Sequence, residues 1–337
     1  MKFQAILGAG FLTLAGFHTA RAAECGTLQM VNTVQMLRSR SGGPDMIPVQ
    51  INGKEVPFLF DTGGVTTMIG RKVVQDMKLP IMQGSMEFYD LRGNISRDLA
   101  SISQFALGRL HGADKSFPVF PDNGISGIIS LNFLLPYDID VDFGNDKLNF
   151  FSQDHCPGGV VYWTAPAVTV LPISIREGHM TVPVMLDGQE FPAIIDTGAT
   201  NSTLRMDIAQ RSYDLTMGTE DTPETGILNG DKDLKTYTHI FKTLAFDDIS
   251  VRNAHMTIIP DVMKRNGDAS QQVGNRARLV RDELVGPPIL IGMNVLRQLH
   301  IYMAFGERKL YISPASPAQP AASAAPAAPE PASATAR

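Results

Sequence analysis

The triplet Asp-Thr-Gly occurs twice in this chain, each time closing an apolar run: FLFDTGG at 58–64 and AIIDTGA at 193–199. The surroundings repeat as well. IPVQINGKEVPFLFDTGG (47–64) lies over TVPVMLDGQEFPAIIDTGA (181–199). Pro48 matches Pro183, Asn52-Gly53 matches Asp187-Gly188, Pro57 matches Pro192 and Asp61 matches Asp196, each pair 135 residues apart. A unit written twice must fold twice, and 337 residues suit about two domains.

Asn-Gly and Asp-Gly between short β-prone runs are strong hairpin signals. Each half therefore opens with a hairpin whose second strand delivers an aspartate. A short helical stretch follows in each, GRKVVQDMKL and RMDIAQRSYDL. Next comes a polar hairpin, turning at Arg92-Gly93-Asn94 in the first half and at Asn229-Gly230-Asp231 in the second. Each half ends in an apolar strand, a turn of helix and a last hairpin through Phe-Gly. There Asn132 matches Asn294 at a spacing of 162, so the second half carries 27 extra residues, about 262–288. They are polar and mixed in charge, as a solvated loop would be. Strands dominate and Gly and Pro punctuate often, which predicts an all-β chain of two similar lobes with short helices.

The two ends of the chain read differently. MKFQAILGAGFLTLAGFHTARAA has a basic start, a moderate apolar stretch and a small-x-small site at Ala20-Arg21-Ala22, the pattern of a cleaved signal peptide over 1–22. Glu24 before Cys25 argues against lipidation. Two cysteines remain, Cys25 and Cys156, and an even count in an exported chain favours a disulfide. Residues 314–337 are Pro/Ala/Ser low complexity, with little to bury, and are expected to be disordered. A net charge of −5 gives no electrostatic reason to expect nucleic acid or an anionic membrane as partner. The seven histidines show no metal-ligand spacing, and no cofactor motif occurs, so no metal and no cofactor are expected.

One Asp-Thr-Gly alone is most simply a turn. Two in register imply more. A pseudo-two-fold axis between duplicated lobes can bring equivalent strand ends together, and carboxylates about 3 Å apart cannot both ionise. One then serves as base and the other as acid toward a water held between them. Gly63 and Gly198 let the chain turn close to the carboxylates. Thr62 and Thr197 can hydrogen-bond across the axis and hold the pair rigid.

On these motifs the chain resembles the pepsin/retropepsin superfamily of aspartic proteases, in a bacterial exported form with two retropepsin-like units in one chain. The resemblance covers about 45–152 and 172–313. It implies a bilobal acid-protease fold: an N-terminal lobe over 23–151, a linker over 152–171 and a C-terminal lobe over 172–313. The two lobes would be pseudo-two-fold related β-barrels. It implies an aspartic endopeptidase with Asp61 and Asp196 catalytic. It also implies flaps over the substrate, with Tyr89 and Asp90 in the first lobe and Ile227 to Asn229 in the second. The strand-Gly element of the superfamily fits ILIG, ending at Gly292, but the first half has GIIS and so Ser130 in that place. Gly64 and Ala199 lack the hydroxyl often found after Asp-Thr-Gly in pepsin-like enzymes. That absence resembles the retroviral type and implies that less acid keeps the pair singly protonated. Ser130 and Gly64 favour the alternative, a catalytically retired module that binds extended peptides without cutting them. The expected partner in either case is a peptide or protein, met outside the cytoplasm, in the periplasm or the medium. The expected state is a monomer whose pseudo-dimer is intramolecular, without a large inhibitory propeptide and without stable membrane insertion.

Overall fold

The structure is a computed structural model that describes residues 25–89, 95–120, 124–176, 178–228, 230–260 and 287–315. The first half opens with β1 (Met30–Gln35), then β2 (Met46–Ile51) and β3 (Lys54–Phe60). β4 (Met68–Gly70) leads into α1 (Arg71–Asp76), followed by β5 (Ile81–Tyr89), β6 (Ile95–Leu107) and β7 (Leu110–Phe120). It closes with β8 (Gly127–Ile129), α2 (Leu131–Leu134), β9 (Asp138–Asp142) and β10 (Lys147–Phe151). The second half repeats the plan. β11 (Thr169–Pro172) and β12 (Ser174–Arg176) precede the hairpin β13 (His179–Leu186) and β14 (Gln189–Ile195). Then come β15 (Thr203–Arg205), α3 (Met206–Tyr213), β16 (Glu224–Ile227), β17 (Lys235–Phe246) and β18 (Ile249–Ile259). β19 (Ile289–Ile291), α4 (Met293–Leu296), β20 (Leu299–Ala304) and β21 (Lys309–Pro314) complete it.

Each half rolls its sheet into a closed six-stranded barrel. The first runs β2-β3-β8-β4-β7-β6 and closes by pairing β2 with β6. The second runs β13-β14-β19-β15-β18-β17 and closes by pairing β13 with β17. Closure removes the exposed strand edges that invite aggregation. The fold is thus mostly β with short helices, in two equivalent lobes, as the repeat predicts. The opening hairpins turn where expected: Asn52 and Gly53 have φ of 49° and 80°, and Asp187 and Gly188 have 43° and 83°. Positive φ at both central residues matches the twist of the flanking strands, which is why Asn-Gly and Asp-Gly are favoured there. Alternation then sorts the side chains. Ile47, Val49 and Ile51 point into the first barrel, and Met180, Val182, Val184 and Leu186 into the second, all almost fully buried.

The closing hairpins join neither barrel. They combine in a third sheet, ordered β1-β10-β9-β20-β21-β11, to which both halves contribute three strands. Its centre is the antiparallel pair β9–β20, with Ile301 opposite Val141 and Tyr302 opposite Asp140. The segment assigned to the linker ends within this sheet, because 169–171 belong to β11. One face of the sheet carries Ile139, Val141, Ile301 and Met303 into the main core. The other carries Asp138, Asp140, His300 and Tyr302, all buried, and the stretch after β10 lies across it. Trp163 stacks on His300 with centroids 4.3 Å apart and donates from Nε1 to Ser313 Oγ at 2.9 Å. His300 Nε2 lies 2.7 Å from Asp140 Oδ1, and His155 Nε2 lies 2.6 Å from Asp138 Oδ2. Buried carboxylates need such partners. Between the lobes, Arg297 donates to Asp45 Oδ1 at 2.7 Å and to Gly43 O at 2.6 Å.

Cys25 and Cys156 are joined in a disulfide that closes a loop of sequence separation 131. Gly26 adds to the tie, donating to Asp154 O at 2.8 Å and accepting from Cys156 N at 3.0 Å. A crosslink over so long a loop restricts the unfolded chain strongly. The double substitution Cys25→Ser/Cys156→Ser is therefore expected to cost about 2–4 kcal/mol of stability. Denaturant unfolding of the oxidised protein and the variant measures this, and equal midpoints would refute it. Positions 1–24, 261–286 and 316–337 lie outside the described residues, and with them the expected signal peptide, most of the insertion and nearly all of the tail. Among the described residues no helix is long and apolar enough to cross a membrane.

Candidate active site

Asp61 and Asp196 follow β3 and β14 directly, the two strands that the opening hairpins deliver to the lobe boundary. Each strand pairs in parallel with the short strand of its own half, β3 with β8 and β14 with β19. That pairing fixes the backbone at the aspartates: Asp61 N donates to Ile129 O at 3.0 Å, and Asp196 N to Ile291 O at 2.9 Å. The loops beyond are pinned by the helices that follow those strands. Leu131 N donates to Gly64 O at 3.1 Å, and Met293 N to Ala199 O at 2.9 Å. Asn132 Oδ1 accepts from Thr67 N, and Asn294 Oδ1 from Ser202 N, both at 2.8 Å. The matched asparagines of the sequence thus hold the same loop in each half. Thr67 and Ser202 complete the bracing: their hydroxyls accept from Ser130 N and from Gly292 N, each at 3.0 Å.

The two loops meet across the pseudo-two-fold axis. Thr62 N donates to Thr197 Oγ1 at 3.1 Å, and Thr197 N to Thr62 Oγ1 at 3.2 Å. Each hydroxyl donates in turn to the strand of the other half, Thr62 to Ile195 O at 2.6 Å and Thr197 to Phe60 O at 2.7 Å. Both threonines are buried. The glycines make an equally reciprocal contact. A Cβ on Gly63 would lie 2.3 Å from the Asp196 carboxyl carbon, and one on Gly198 would lie 2.5 Å from that of Asp61. Each loop therefore passes over the other lobe's carboxyl group at a distance only glycine permits.

Backbone donors orient the carboxyls. Gly63 N and Gly64 N both donate to Asp61 Oδ1, at 3.0 and 2.8 Å, and Gly198 N donates to Asp196 Oδ1 at 2.8 Å. Burial pushes the Asp196 carboxyl up to about 8, helped by the charge of Asp61 and by the hydrogen bond between the two groups. Burial also raises Asp61. It is opposed there by the Gly64 N–H, the hydrogen bond from Asp196, the Gly63 N–H and His179. The two carboxyls titrate as a pair, and burial together with their mutual repulsion favours a state with one proton and one charge between them. The arrangement holds one acid and one base against each other in a site with few charges nearby. Such a pair can activate water and protonate a carbonyl.

His179 gave no signal in the sequence. It opens β13 in the second half, yet its Nδ1 donates to Gly63 O in the first-half loop at 3.1 Å. Only the packing of one lobe against the other creates this contact. Of the expected flap residues, Tyr89 ends β5 and Ile227 ends β16, while Asp90 and Asn229 lie outside the described residues. Ile227 is exposed and borders a hollow of about 400 Å³ with Asn201, Thr225, Thr236, His255 and Thr257. The hollow separates the β16–β17 hairpin from the loop after Asp196. Among the described residues no group of three or more His, Cys, Asp or Glu is placed to hold a metal ion.

A protein-family model described as Aspartyl protease matches residues 47–133 and 182–295, one stretch in each lobe. No curated protein gave a significant match. Among solved structures, the chain is similar to conglutin gamma, a basic 7S globulin from lupine seeds. The identity is 10%, the overlap covers 85% of this chain and 95% of that one, and the TM-score is 0.48.

Proposed function

The chain belongs to the aspartyl protease family, and from that premise we propose that it is an aspartic endopeptidase with Asp61 and Asp196 as its catalytic residues. The observation that carries this reading is the meeting of the two Asp-Thr-Gly loops, each passing over the other lobe's buried carboxyl, with both carboxyls raised by that burial. In the proposed reaction a water lies between the carboxyls. Asp61 takes a proton from it as the oxygen attacks the peptide carbonyl carbon, while Asp196 gives its proton to the carbonyl oxygen. The product is a neutral gem-diol. Asp61 then passes its proton to the amide nitrogen, a diol hydroxyl returns a proton to Asp196, and the C–N bond breaks to give an acid and an amine. Thr62 and Thr197 keep the carboxyls in register, and Gly63 and Gly198 leave them room.

The substrate is an extended peptide held between the lobes, and the β5–β6 and β16–β17 hairpins are proposed as flaps over it. The protein works as a monomer, since one chain supplies both aspartates. It is exported through the N-terminal signal to the periplasm or the medium, where the Cys25–Cys156 disulfide persists. A peptide library incubated with the disulfide-intact protein tests the reading. Cleavage is expected, with inhibition by a statine-type hydroxyl isostere that mimics the gem-diol. Tight binding of the same peptides with no cleavage at any pH would overturn it in favour of a peptide-binding module.

A further inference from the structure

Ser130 stands in the first half where the second half has Gly292. Gly292 has no room for a side chain: a Cβ there would lie 2.6 Å from the Asn201 carbonyl and 2.9 Å from Ala199 O. The backbone at Ser130 is held in the matching way, its N–H donating to Thr67 Oγ1 at 3.0 Å, so its side chain is an addition to the same plan. Ser130 is completely buried, and its hydroxyl has no hydrogen-bond partner. A buried hydroxyl without a partner is unfavourable unless an acceptor is within its reach.

An acceptor is at hand because of a second departure, Gly64. A Cβ on residue 64 would lie 2.6 Å from Ser130 Oγ and 2.8 Å from Asp61 Oδ2, so the two oxygens flank one gap. In the second half Ala199 supplies a Cβ at the matched position. The two departures are therefore complementary: the missing side chain at 64 makes room for the added one at 130. Both loop N–H groups go to Oδ1 and neither to Oδ2, so the backbone leaves that side of the carboxyl to other donors.

We propose that Ser130 is a positioning residue for Asp61, its hydroxyl turning about the Cα–Cβ bond to donate to Oδ2 of the ionised carboxylate. The hydroxyl enters from beneath the loop, through the space that Gly64 leaves. It acts with the other groups that face Asp61: the Asp196 carboxyl, His179, and the N–H groups of Gly63 and Gly64. A donor to the charged form favours that form, so Ser130 extends the range in which Asp61 is a base toward lower pH. It also makes the two aspartates inequivalent within a duplicated frame, and assigns the base to the first lobe. The inference rests on the acid–base reading of the pair proposed above.

Ser130→Ala and Ser130→Gly both remove the hydroxyl but differ in the space they leave. Two readouts are compared with the parent protein: the pH profile of kcat/KM, and the titration of the Asp61 carboxyl carbon by NMR in the full chain. Both variants are expected to move the lower inflection upward alike, by about 0.5–1 pH unit. On the acid side kcat is expected to fall about three- to tenfold with KM unchanged. A purely packing role would instead separate Ala from Gly in thermal stability and leave both inflections in place. Titration curves for Asp61 that superimpose on the parent in a folded variant overturn the proposal. If the parent protein cleaves no peptide, the functional reading fails on its own, and the carboxyl titration still decides whether Ser130 acts on Asp61.

Discussion

Asp61→Asn and Asp196→Asn, made singly, are each expected to lower peptide cleavage about a thousandfold, in line with the loss of an acid–base partner. The expectation follows from division of labour. In the proposed mechanism Asp61 is the charged member and accepts the proton of the attacking water. An amide in its place cannot take that proton. In the same proposal Asp196, pushed up to about 8, is the protonated member. Its replacement presents an amide N–H to the carbonyl but cannot give up a proton and take it back. Because the carboxyls act as one unit, the double variant should be little worse than either single one. Steady-state kinetics on one peptide, with folding verified by circular dichroism, measure all three. A single variant that keeps more than about a tenth of the parent rate removes the shared-proton mechanism.

The same pair should make stability depend on pH in a direction opposite to that of an ordinary ion-paired carboxylate. Asp196 is raised from an ordinary value of 3.8 to about 8, and Asp61 is raised as well. In the unfolded chain both groups lose their protons near the ordinary value, while the folded protein still holds one. The folded state then binds more protons than the unfolded state, so stability falls as pH rises. The contribution is fully present below the unfolded value and is lost as pH climbs to about 8, the folded value of Asp196. Asp196→Asn removes the charge that the fold resists. Its melting temperature relative to the parent should therefore be higher at pH 8.5 than at pH 4.5, by on the order of a few degrees. The substitution that abolishes cleavage would thus stabilise the alkaline form, as expected where a site holds groups against their preferred ionisation. Parallel melting curves for parent and variant across this range would show that the pair is not strained by burial. Cleavage itself should follow a bell: it rises as Asp61 ionises and falls as Asp196 loses its proton near 8.

Much of this protein is legible in one dimension because duplication converts weak local signals into a pattern. Asn52-Gly53 and Asp187-Gly188 specify their turns by themselves, since the positive φ values they adopt are costly for most other residues. Alternation in β2 and β13 states which side chains face the barrel interiors. The matched positions of Asp61 and Asp196 already demand a two-fold arrangement, and Asn132 and Asn294 mark its end without revealing their task as loop braces. A likeness between halves nevertheless carries no information about how the halves join. The shared sheet is one consequence: β9 and β20 pair edge to edge because each barrel leaves its last hairpin free, and only their meeting buries Asp138, Asp140, His300 and Tyr302.

The sequence by itself determined the repeat, the β-class, the hairpin turns and the matched placement of the two aspartates, because each depends on local backbone preference or on matching one half to the other. Tertiary structure alone decided what lies across the axis. It set the hold of Thr62 and Thr197 on the opposite strands, the passage of Gly63 and Gly198 over the opposite carboxyls, and the reach of His179 to Gly63. It also turned Ser130 and Gly64, which in sequence are two unrelated departures, into the two sides of one gap. Contacts of this kind join residues 66 to 137 positions apart, and no local preference encodes them. The gap at Ser130 and Gly64 needs the first lobe folded, and the others exist only once both lobes are pressed together, burying the two aspartates side by side.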